Sequence, residues 1–287
     1  MLGKLIKYEI KSIYKYFLIL YAIIIAGAIT SFTVLKRTGY ILEYIGISSS
    51  LICFLAIMVL SVLLLVFTIT RFNSSLLGDE GYLMFTVPTS THNIIWSKAL
   101  AMLIFNLASI LVILLVAFGF LYSSDLFSTS KVNIEPSFLE ALKIVFKNPS
   151  TYLVVLLCIF HVLVSILSST MLVYAALSFG QMPTFKKYKN IFAIGFFIIF
   201  SVVEEYITSK LGYVSIHNMT SLLNSKYTGL FKNIDQNIAT QNMEKAVSVG
   251  MHYVSGVLFV LLLMYVSVLI IEYFVTYYIL NKKLNLD

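Results

Sequence analysis

Charged side chains are scarce in this sequence. Asp, Glu, Lys and Arg supply 11% of its 287 residues, against about 25% in an ordinary soluble domain. A water-soluble globule is therefore a poor reading. Cysteine is nearly missing, and Cys53 and Cys158 both fall inside apolar runs, so no disulfide framework is implied and buried, unreactive thiols are expected. Two catalytic signatures are absent as well. No G-x-x-x-x-G-K-[ST] occurs to cradle nucleotide phosphates, and His92, His161, His217 and His252 do not provide the H-E-x-x-H spacing of a zinc hydrolase. Asp79 and Glu80 form an adjacent acidic pair with no nucleophile and base beside them. No enzyme activity, metal or cofactor of the chain's own is expected. With no repeat, low-complexity tract or flexible linker, residues 1–287 read as a single transmembrane domain.

What the sequence has is apolar residues, 60% of the total, in runs near the ~20 residues with which a helix crosses a ~30 Å hydrocarbon layer. Six spans can be read: Phe17 to Leu35, Ile47 to Ile69, Ala99 to Tyr122, Tyr152 to Phe179, Ile191 to Ile207 and Met251 to Leu280. The expected fold is an all-α polytopic membrane protein. Lys4, Lys7, Lys11 and Lys15 precede the first span, Lys186, Lys187 and Lys189 fill the connection from four to five, and Lys282 and Lys283 follow the sixth. Because basic loops are retained inside, both termini are expected in the cytoplasm, with the protein multi-pass in the plasma membrane. The opposite loops also hold lysines, Lys131, Lys143 and Lys245 among them, but in longer segments where that rule is weak. The net charge of +7 has no basic, aromatic-interleaved patch of a nucleic-acid binder behind it.

In the first sixteen residues, MLGKLIKYEIKSIYKY, the four lysines share one narrow helical arc, while Leu2, Ile6, Ile10, Ile13 and Phe17 make another. This pattern predicts an amphipathic helix lying in the headgroup plane of the lipid bilayer, apolar face down. Ala26-Gly27-Ala28 has the look of a signal-peptidase site, but the apolar run continues past it, so retention of the segment is expected. Between spans three and four, a short helix from Ser137 to Phe146 with Pro149 as its stop is predicted. Residues 208–250, the largest outer segment, should hold short helices at the outer mouth.

Residues 71–98 form the connection from span two to span three, and its centre reads LLGDEGYLMFTVPTS. Asp79 and Glu80 suit the first turn of a short helix, whose unpaired amides attract negative charge. Gly81, Tyr82, Leu83, Met84 and Phe85 would follow, Pro88 would end it, and Thr89, Ser90 or Thr91 would cap the next helix. Aromatic and sulfur-bearing side chains held outside the bilayer want a covering partner, as interface anchors do.

The run from Gly78 to Ser90, with Ser97-Lys98 opening span three, resembles the cytoplasmic loop of type-2 ABC exporter permeases. Ala175, Leu177, Gly180 and Gln181 closing span four, and the ending from Tyr273 to Leu286, are similar to that family too. The likeness covers nearly the whole chain, and its acidic-Gly loop is the most specific part. The resemblance implies six spans, an N-terminal elbow helix (here residues 1–16) and a coupling helix (here about Asp79 to Thr86) that docks on a separate ATP-binding subunit. It implies as well a pair of permease subunits, here a homodimer, with ATP and Mg bound by the partner ATPase. The implied activity is export of an amphipathic or hydrophobic substrate: a peptide, an antimicrobial or a lipid-like molecule. The larger outer segment between spans five and six departs from many members.

A secondary, ion-coupled transporter is the rival, and it would want ionisable groups at membrane depth. His161, Ser165 and Ser168 share one helical face and, with Glu272, are the candidate pathway residues; Glu204 and Glu205 lie near the outer end of span five. Interhelical hydrogen bonding would explain the same stripe. A non-transporting sensor or scaffold is the third class.

Overall fold

The computed structural model describes residues 2–35, 40–77, 90–123, 145–232 and 239–282. Six long helices dominate: α1 (Leu2–Leu35), α2 (Tyr40–Phe72), α3 (Thr91–Ser123), α4 (Pro149–Gly180), α5 (Lys189–Lys232) and α6 (Ala239–Lys282). A π-helical turn, Asn73–Leu77, follows α2, and a 3-10 stretch, Pro183–Tyr188, precedes α5. Among the described residues there is no strand, and each helix contains a stretch long and apolar enough to cross a membrane. The protein is thus an all-α, multi-pass membrane protein, and the many outward-facing apolar side chains, such as Leu115, Phe118 and Ile191, suit a hydrocarbon solvent.

Three regions differ from the sequence expectation. The elbow and first span are one unbroken helix of 34 residues, about 51 Å long at ~1.5 Å per residue. Its lysines are exposed, but Ile13 and Phe17 of the apolar arc are buried in a protein core rather than turned to lipid. Residues 145–147 are helical and the helix breaks at Asn148, as expected ahead of Pro149, but that proline also opens α4. A proline at a first helical position loses no bond, since that amide has no acceptor in the helix. Asn148 supplies the cap, its Oδ1 accepting from the Ser150 amide at 3.1 Å. The expected helix at Ser137 to Phe146 lies mostly outside the described residues. Finally, the segment 208–250 is not built of short helices: α5 and α6, each of 44 residues, extend through most of it. No proline follows Pro183, so nothing in the covalent chain obliges either helix to stop.

The chain gathers into two compact units, the first formed by Met1–Val132, Leu177–Lys189 and Thr276–Asp287, the second by Asn133–Ala176 and Asn190–Val275. In the first, α1 packs against both α2 and α3. Ile13, Phe17, Ile24 and Ala28 of α1 meet Cys53, Ala56 and Leu60 of α2 and Met102, Phe105 and Val116 of α3. Phe17 stacks on Phe105 with ring centroids 4.6 Å apart. Small residues bring α1 and α2 together: Gly27 faces Cys53 and the Ser49 carbonyl, and the Ser31 and Ser49 hydroxyls lie 2.9 Å apart. This is how membrane helices approach closely, through small side chains and hydrogen bonds rather than water-driven burial. Tyr21 ties α1 to α3, its hydroxyl 2.8 Å from Ser109 Oγ.

In the second unit, the described contacts include Gly212 of α5 facing Leu261 of α6 and stacking of Phe196 on Phe200 along α5.

Candidate functional site

The proposed docking residues Asp79, Glu80, Gly81, Tyr82, Leu83, Met84 and Phe85 lie outside the described residues, but both flanks of their loop are defined. On the incoming side Phe72 and Leu76 are fully buried, so the π-helical turn is anchored. On the outgoing side Ser90 accepts amide bonds from Asn93 at 2.9 Å and Ile94 at 3.4 Å through its carbonyl, which puts it at the N-cap position.

The first turns of α3 are held from two directions. Lys98 is 1% exposed, and its Nζ lies 2.5 Å from Glu9 Oε1 on α1. Thr91 Oγ1 donates to Asn281 Oδ1 near the end of α6 at 2.8 Å, and His92 stacks on Tyr277 at 4.1 Å. Ile94, Ile95, Ser97 and Ala99 are buried between these grips. The Ser97-Lys98 motif by itself does not single out Glu9. A signal was there: Glu9 is the sole acid in the first sixteen residues, and Lys98 the sole Lys or Arg between Arg71 and Lys131. The lysines 4, 7, 11 and 15 remain an exposed basic arc on α1.

A second cluster lies within the second unit, inside three candidate spans. Ser168 of α4 is fully buried. Its hydroxyl donates to Glu272 Oε2 of α6 at 3.1 Å and lies 3.5 Å from Glu204 Oε1 of α5. One hydroxyl carries one proton, so it can donate to only one carboxylate at a time. Glu272 is 9% exposed and turns inward, while of the acidic pair on α5 Glu204 reaches Ser168 and Glu205 stays exposed. The sequence stripe is only partly brought together. Ser165 bonds back to the Val162 carbonyl of its own helix at 3.0 Å. His161 meets the edge of Tyr265 at 4.9 Å, and its Nδ1 is buried with no hydrogen-bond partner among the described residues. Among those residues no group of three His, Cys, Asp or Glu is arranged to hold a metal ion.

No family model matches this chain, and neither a curated protein nor a solved structure does.

Proposed function

We propose that this chain is the membrane subunit of an ATP-driven type-2 ABC exporter, moving an amphipathic or hydrophobic molecule out of the cytoplasm with ATP hydrolysed by a separate subunit. The observation that carries the reading is the anchoring of both flanks of the loop at 78–89. Phe72 and Leu76 fix its entry and Ile94, Ile95 and Lys98 its exit, so a force reaching either end of the loop is delivered to packed residues at the end of α2 and the start of α3. Helices are stiff, and ATP-driven closure of two subunits beneath a permease dimer would bias these spans between alternative arrangements. The resemblance of Gly78 to Ser90 to the coupling loop of that family supports the same assignment, and the lysines beside spans one, four and six favour a cytoplasmic side for it.

The test is purification of the full chain with its native partners. An ATP-hydrolysing protein should be retained, and Tyr82→Ala with Phe85→Ala should weaken its docking by about 1 to 4 kcal/mol, as loss of interface anchors does. Undiminished retention and hydrolysis with both rings removed would refute the docking role.

One observation favours an ion-coupled carrier instead: Glu204 and Glu272 converge on Ser168 inside the spans, and intramembrane carboxylates mark ion and proton paths. Cargo flux in vesicles driven by a proton or sodium gradient, with no ATPase present, would establish that reading in place of the first.

A further inference from the structure

We infer that the first two turns of α3, from Thr91 to Lys98, form a rigid node that makes the beginning of α1 and the end of α6 follow α3, with Glu9 and Lys98 as positioning residues. This rests on the proposed export function, in which the loop before Thr91 receives the motion, and it adds where that motion goes. Three contacts define the node, all within the first unit: Lys98 with Glu9, Thr91 with Asn281, and His92 with Tyr277.

The ion pair is the telling element. Lys98 is fully enclosed and the Glu9 side chain is 13% exposed, a setting in which two well-packed apolar side chains are often as stable as the charges or more so. Stability alone therefore gives little reason for charge there. What a buried pair adds is register, because an enclosed ammonium held by one carboxylate cannot slide along an apolar face without leaving a charge unpaired. Thr91 and Asn281 do the same for α6 with a neutral bond, and the stacked rings of His92 and Tyr277 resist rotation beside it. Loop, first helix and last helix thus share one joint.

The experiment uses the full chain with its co-purified ATPase in vesicles of phosphatidylethanolamine and phosphatidylglycerol. Spin labels go on cysteines replacing the exposed Tyr8 and Tyr278, with Cys53 and Cys158 changed to alanine. In the otherwise unaltered chain the label distance should be narrow and the same without nucleotide and after trapping with ATP and vanadate. In Glu9→Leu with Lys98→Met it should broaden on trapping, and exchange of the charges, Glu9→Lys with Lys98→Glu, should narrow it again. Should the apolar pair fail to assemble, Lys98→Met alone, which leaves no fully enclosed charge, carries the same expectation. A distance that already shifts in the unaltered chain, or one that stays narrow on trapping in the assembled variants lacking the ion pair, overturns the node. Absence of any ATPase from the purified chain overturns the export reading, and the relay with it, whereas retained ATPase with an unaffected distance overturns the node alone.

Discussion

Ser168 and Glu272, 104 positions apart in the chain, meet through a 3.1 Å hydrogen bond from a fully buried hydroxyl to a carboxylate that is almost fully buried. With Glu204 Oε1 at 3.5 Å from the same hydroxyl as the alternative acceptor, three helices of the second unit converge on one polar point inside apolar spans. A polar group has few alternative partners in hydrocarbon, so this point fixes the rotation of each helix about its own axis.

Glu272→Gln keeps an acceptor for Ser168 and nearly the same volume, and should change stability by less than about 1 kcal/mol. Glu272→Ala removes the acceptor and leaves a void, and should cost about 1 to 3 kcal/mol. Thermal midpoints of the detergent-solubilised protein distinguish the two. If the carboxylates also carry an ion, Glu272→Gln should abolish gradient-driven flux while leaving the midpoint in place.

Gly119 admits the ring of Phe32. A Cβ at residue 119 would stand 2.2 Å from Phe32 Cε2 and Cζ, and that ring is itself set edge-on to Phe120 at 5.0 Å. Gly119→Ala should therefore destabilise the first unit by about 1 to 3 kcal/mol through overpacking, although alanine is the better helix former. Adding Phe32→Leu should recover most of the loss. Equal midpoints for Gly119→Ala and the unaltered protein would mean the ring turns away freely.

Gly27 behaves differently because a Cβ there would meet Cys53 Cβ at an ordinary 3.7 Å. Gly27→Ala should be neutral or stabilise by up to about 1 kcal/mol, from helix propensity. Gly27→Leu should wedge α1 from α2, break the contact between Ser31 and Ser49, and cost about 1 to 3 kcal/mol. A thermal series over both variants checks the opposite signs.

Apolar length was readable without coordinates, since the six runs beginning near Phe17, Ile47, Ala99, Tyr152, Ile191 and Met251 each fall within a membrane-length helix. Helix ends were less so. Pro149 can stop one helix or start the next, and here it does both, with a helical turn ending at residue 147 and the Asn148 cap opening α4. The segment 208–250 is more polar than the spans, which suggests short helices, yet polarity does not interrupt a helix that lacks proline. At the candidate sites, Ser168 and Glu272 were legible as polar residues in apolar surroundings, and their pairing was not. Glu204 stood beside Glu205 with nothing in the local order to say which would turn inward.

The sequence alone determined that this is an all-α membrane protein with six helical stretches long and apolar enough to cross, because unpaired backbone amides are too costly in hydrocarbon and the apolar runs have the required length. Which residues meet was left to the tertiary structure. Glu9 finds Lys98, and Ser168 finds Glu204 and Glu272, through the rotation and axial shift of whole helices against one another. Those are set by packing within each unit, and no window of neighbouring residues encodes them.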